Sequence, residues 1–192
     1  MISESFQEDV YIADFTDYKN EPKAEPVEFS GVTVGTEENG ILPSFVFKNP
    51  NKVEFVVVND EKNPAVFTRE NGKKVSNCEC IILTNRHDNR KGWMVFLELK
   101  YCKPQNVYDR MLEGINQLKA TCNYILKEKK LFDSSQYKKY MVISTPGVTP
   151  RDPFDASYFD QDYMLTVKED TGANLKAANI AFVQTPAVIS FE

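Results

Sequence analysis

The stretch Asn77-Cys-Glu-Cys-Ile-Ile-Leu83, followed after a polar connection by Trp93-Met-Val-Phe-Leu-Glu-Leu-Lys100, decides how this 192-residue chain is read. Both runs are rich in residues that suit a pleated, buried surface, and Thr84 to Gly92 reads as a hairpin-like connection between them. Charge interrupts the runs at Glu79, Glu98 and Lys100. Side chains two apart on a strand project from the same face, so Glu98 and Lys100 share one. Val95 to Leu99 is apolar on both faces, the pattern of a central strand. Ions placed there must be paired, hydrogen-bonded or bound to metal.

Working outward toward the N-terminus, Val53 to Asn59 predicts a strand and Ala65 to Arg69 a second. The Asn71-Gly72 turn then leads into a strand over Val75 to Leu83. Tight connections make these strands antiparallel neighbours. On the other side, Pro104 ends the extended run. Val107, Met111, Ile115, Leu118, Cys122, Ile125 and Leu126 then recur at helical spacing as far as about Lys130. Lys139 to Ser144 is a further short strand, and a strand, a helix and a strand in that order imply a parallel crossover. The expected fold is α/β (α+β), a mixed central sheet with a long flanking helix. Residues 51–145 form its core and residues 1–50 an acidic, loop-rich arm with one or two short elements. Residues 146–192 are a C-terminal extension of the same domain, a proline-bearing loop and then one strand or a strand pair between Leu175 and Ile189.

Composition narrows the function classes. A content of 42% hydrophobic and 12% aromatic residues excludes wholesale disorder. The apolar runs are too short to span a bilayer, and the first ten residues lack the pattern of a secretion signal, so a cytoplasmic protein without a membrane partner is expected. Cys78, Cys80, Cys102 and Cys122 fit reduced core thiols, since Cys78 and Cys80 lie two apart on one strand rather than at zinc-ligand spacing on loops. The net charge of -5 argues against a protein that coats nucleic acid by charge alone. Glu70 to Lys139, however, carries 14 Lys and Arg against 8 Asp and Glu, leaving 9 against 20 elsewhere. Basic character therefore gathers around the Glu98 strand and the following helix, either as a binding surface or as a solvated helix face.

Two carboxylates and an ammonium on adjacent central strands suit Mg²⁺-assisted phosphodiester hydrolysis. Hard oxygens hold the metal, the metal polarises phosphate and water, and the lysine orients the nucleophile. A Glu-x-Lys triplet is expected about once by chance in a chain of this length. Its setting inside a buried strand, after a second acidic strand and before a basic amphipathic helix, is the informative part.

In these residues the chain resembles the PD-(D/E)xK nuclease superfamily. Glu79 takes the place of the family's first acidic residue, Glu98-Leu99-Lys100 supplies the triplet, and Gln117 lies on the next helix where some members carry a supporting glutamine. The resemblance covers about Val53 to Ser144 and implies a restriction-endonuclease-like core. Glu79 stands where the family has an aspartate, with no proline before it. The helix that opens many members has no clear counterpart, and Asp60 or Glu61 is the nearest acidic substitute.

The resemblance implies a nuclease with Glu79 and Glu98 as ligands to Mg²⁺ (or Mn²⁺), Lys100 positioning water and Gln117 supporting the site. The expected substrate is nucleic acid, DNA before RNA, met by Arg86, Arg90, Lys91, Lys103 and Lys119. Competing readings stand beside it: Glu98 and Lys100 as an ion pair at a sheet edge, Glu79 as an outward residue of a half-exposed strand, and Gln117 as a surface residue. The superfamily also contains members that no longer cleave. The alternative function is accordingly a non-catalytic module docking a protein partner, with homodimerisation left open. His87, the only histidine, reads best as a solvated turn residue. No triad motif or glycine-rich phosphate loop is present.

Overall fold

A central strand with both faces covered organises the molecule, which is described by a computed structural model over residues 3–19, 30–84, 90–148 and 159–192. In chain order the first elements are β1 (Glu4–Phe6), β2 (Val10–Asp14), the one-turn helix α1 (Phe15–Lys19), β3 (Val32–Gly35), β4 (Phe45–Lys48) and β5 (Phe55–Asn59). They are followed by β6 (Cys80–Thr84), β7 (Gly92–Leu99) and α2 (Val107–Asn123), which runs on as a π-helical turn over Tyr124–Glu128. After these come β8 (Tyr137–Ser144), α3 (Gln161–Thr171), β9 (Asn174–Ala177), β10 (Ile180–Thr185) and β11 (Val188–Phe191). The chain is therefore α+β, with two mixed sheets and a long helix.

All eight residues of β7 are buried, as an apolar run on both faces requires. It lies in a six-stranded sheet of order β1-β5-β6-β7-β8-β9, antiparallel to β6 and parallel to β8, with α2 in the crossover. The expected mixed sheet and crossover are present. The second sheet, of order β11-β10-β4-β2-β3, stacks on one face of the first. Between the sheets Phe47 meets Phe55 at 5.0 Å and Trp93 at 5.4 Å between ring centroids. The other face is covered by α2 and α3, whose Met111, Ile115, Leu118 and Val167 pack with Ile81, Met94 and Phe96. The result is three layers around two cores. None of the four cysteines forms a disulfide, and among the described residues no helix is long and apolar enough to cross a membrane.

Several local expectations need correction. Ala65 to Arg69 is not a strand, because Pro64 starts a 3-10 turn over Pro64–Phe67. The strand expected over Val75 to Leu83 is confined to Cys80–Thr84. Before it, the Cys78 N–H donates to the Thr121 hydroxyl of α2 at 2.8 Å instead of to a neighbouring strand. The N-terminal stretch is richer than an arm with one or two elements: β1 edges the first sheet, and β2, β3 and β4 build most of the second. The C-terminal stretch contains α3, which hydrophobic spacing does not announce since few of its residues are buried.

A candidate metal centre at the end of β7

Strand register brings the two glutamates together. Cys80 pairs with Leu97, so the next position outward sets Glu79 across from Glu98, and the Glu79 N–H donates to the Leu97 carbonyl at 3.0 Å. Ile81 and Phe96, one pair further in, belong to the core under α2, so by the two-residue period both glutamates face that helix. Glu79 itself lies just before β6, half-buried. Lys100 follows β7 on the same side, 3% exposed, and Glu98 is 0% exposed. The strand is central, flanked by β6 and β8, so the pair does not lie at a sheet edge.

Gly114 lets α2 come this close. A Cβ there would lie 3.1 Å from Glu98 Cγ and 3.4 Å from Lys100 Cγ. Gln117, three residues further along the same face, reaches the cleft with its Oε1 buried and unpartnered. Glu98 is more unusual still. Lys100 Nζ lies 2.7 Å from its Oε1, close enough to pair charges, yet neither Glu98 oxygen accepts an aligned hydrogen bond. Buried polar atoms are almost always satisfied, so Glu98 Oε2 and Gln117 Oε1, both without a partner at one place, call for an explanation.

The cleft, about 620 Å³ in volume, is lined by further acids that sequence reasoning placed only in part. Asp60 and Glu61, named as substitutes for a missing acidic residue, both reach it. Asp60 accepts from Asn77 at 2.6 Å and from Lys74 at 3.2 Å. Asp14 and Asp17 were not anticipated. Asp14 caps α1, its carboxylate accepting from the N–H groups of Thr16 at 2.8 Å and Asp17 at 3.0 Å. Asp17 accepts from the Tyr101 N–H at 2.7 Å, tying α1 to the end of β7. The available signal was an aspartate ending an apolar run, with Thr and Asp two and three residues on. That signal marks a cap, not a cleft.

Burial and mutual repulsion raise several of these acids above their ordinary values. Burial, against the pull of Lys100, pushes Glu98 up to about 8. Burial and then the neighbouring Glu98 raise Glu79 well above the usual carboxylate range. Asp14, raised mainly by burial, hydrogen-bonds Glu79. Burial works against the charge on Lys100, but Glu98, Asp17 and Glu113 together offset it and keep the lysine above its ordinary value.

The basic residues divide. Lys103 lies three residues beyond Lys100, just before the 3-10 turn Pro104–Asn106 that leads into α2, and is not among the residues that line the cleft. Arg90 and Lys91 are exposed but precede β7, and its rise puts Gly92 about 20 Å from Glu98. The structure does not bring them to the carboxylates. Lys119 is paired with Asp170 of α3 at 3.0 Å, because that part of α2 packs against α3. Arg86 and His87 lie outside the described residues.

Among the described residues no three His, Cys, Asp or Glu side chains converge tightly enough to hold a metal by themselves. What the site offers is the pair Glu79 and Glu98 with the Gln117 amide oxygen nearby. This donor set suits a hard cation that keeps part of its water shell, as Mg²⁺ does. Compared with protein-family models, curated proteins and solved structures, the chain matches none.

Proposed function

We propose that this protein is a metal-dependent phosphodiesterase acting on nucleic acid, DNA before RNA, with a restriction-endonuclease-like core. The observation that carries the reading is Glu98: a carboxylate 0% exposed, its Oε1 paired with Lys100 Nζ at 2.7 Å and its Oε2 without a hydrogen-bond partner, set beneath the acidic cleft that Glu79, Lys100 and Gln117 line. Such a group is costly to keep unless something absent from the polypeptide completes it. Glu79 and Glu98 would hold Mg²⁺ (or Mn²⁺), which when bound supplies polarisation of the phosphate and a more acidic water. Gln117 Oε1, buried and unpartnered, would accept a hydrogen bond from water at the site. Lys100 orients the attacking water and offsets charge developing on the phosphate. Lys103, three residues beyond Lys100, would meet the nucleic-acid backbone. An acidic cleft repels phosphates on its own, so a cation is also what makes the substrate welcome.

The test joins two measurements: Mn²⁺ binding by calorimetry, and Mg²⁺-dependent cleavage of DNA and RNA oligonucleotides, on wild type and on Glu98→Ala. We expect binding that disappears in the variant and cleavage reduced at least about a hundredfold, the scale of losing one electrostatic stabiliser. Cleavage unchanged in Glu98→Ala sinks the reading.

One observation favours the alternative of a non-catalytic docking module. Lys100 already stands 2.7 Å from Glu98, where a cation would neutralise it. On that reading Mn²⁺ leaves the melting temperature of the wild type unchanged, whereas ligation by paired carboxylates raises it.

A further inference from the structure

Lys100 has more than one partner. Its Nζ lies 2.7 Å from Glu98 Oε1, but also 3.7 Å from Asp17 Oδ1 and 3.9 Å from Glu113 Oε1. The latter two carboxylates belong to α1 and α2, and Arg110 spans them, one nitrogen of its fork on Asp17 Oδ1 and the other on Glu113 Oε2. Asp17 is anchored further by the Tyr101 N–H on its second oxygen. Two further acceptors are thus held beside Lys100 by a shared arginine. Both stand about 1 Å beyond hydrogen-bond distance of the ammonium, within reach of a change in the lysine side chain.

We propose that Asp17 and Glu113 form a second berth for Lys100, so that the lysine leaves Glu98 when a divalent cation binds and remains charged at the site. The inference rests on the metal-dependent reading above. Without a cation, Lys100 neutralises Glu98. With one, repulsion between the two cations weakens the 2.7 Å contact, and the ammonium needs another counter-charge within reach in a site where it is 3% exposed. Asp17 and Glu113, at 3.7 and 3.9 Å, supply it. They are positioning residues, acting on the cation only through the lysine.

The experiment is a double-mutant cycle on Mn²⁺ affinity, by calorimetry at alkaline pH, using wild type, Glu113→Gln, Lys100→Met and the double variant. Glu113 is half-exposed, so Glu113→Gln leaves the fold intact. We expect it to weaken Mn²⁺ binding about two- to fivefold, the range of a partly exposed ion pair. In the Lys100→Met background the same substitution should have no effect. Equal weakening in both backgrounds would mean that Glu113 acts on the metal directly by charge and would overturn the berth, as would no weakening in the presence of Lys100. Wild type that binds no Mn²⁺ removes the underlying reading and the berth with it. Should Lys100→Met not fold, the side-chain ammonium resonance of Lys100 gives an independent readout. It moves on Mg²⁺ addition in wild type and less in Glu113→Gln, while an unmoved signal in wild type overturns the berth.

Discussion

The two faces of β7 put the same strand to different uses. On one, Trp93, Val95, Leu97 and Leu99 enter the core between the sheets, an unbroken apolar column against aromatic rings. On the other, Met94 and Phe96 pack under α2, and the column then turns to charge at Glu98 and Lys100. Both faces are equally buried. Burial alone therefore does not distinguish a stabilising surface from a functional one; what differs is whether the buried atoms are satisfied. Trp93 donates its ring N–H to the Thr185 carbonyl at 3.3 Å, so even its one polar atom has a partner. Glu98 has an ion pair and no aligned hydrogen bond.

If that contrast is right, breaking the first face should cost stability and breaking the second should not. Trp93→Ala empties a site shared with Phe47 and Phe55 and is expected to lower unfolding free energy by about 3–5 kcal/mol, measured by urea denaturation. Replacing Glu98 by Leu together with Lys100 by Met is a smaller change of opposite character. Exchanging a buried ion pair for apolar groups of similar size is neutral or stabilising by about 1–4 kcal/mol. The same variant should lose Mn²⁺ binding completely. A large loss of stability there would instead mark the pair as structural.

The smallest effect concerns pH. Glu98 has its pKa raised by burial from 4.5 to about 8, so between those values the metal-free native state holds a proton that the unfolded chain has released. Stability is therefore greatest below about pH 4.5 as far as this group is concerned, and falls as pH rises toward about 8. Water entering the cleft moderates the slope. Urea midpoints measured across that window should decline in wild type and decline less in Glu98→Gln; a steeper decline in the variant would contradict the assignment.

Much of this architecture is local in origin and could be read directly. A continuous apolar run identified β7 as central, the spacing of Val107 to Ile125 identified α2, and their order required the parallel partner β8. Glu98 and Lys100 fall on one face for the same local reason. Helix α3 escaped because hydrophobic periodicity needs several buried positions, and α3 buries only Val167 and Thr171. Its ends were nevertheless marked, by Asp160 accepting from the Tyr163 N–H and by Gly172 at φ 73°. For Arg90 and Lys91, nearness along the chain is not nearness to the carboxylates. Arg90 and Glu98 are close in sequence, but a strand carries its ends apart.

The sequence by itself determined the sheet's central strand, its helix and the identity of the Glu98 and Lys100 pair, since each follows from a period of two or 3.6 residues over a short window. Only the tertiary structure decided who faces that pair. Register set Glu79 opposite Glu98, the close approach at Gly114 delivered Gln117 and Glu113, and the turn from β2 into α1 brought Asp14 and Asp17 from more than eighty residues away. No short-range pattern encodes such a meeting, because it depends on how the layers pack and not on the residues that happen to adjoin in the chain.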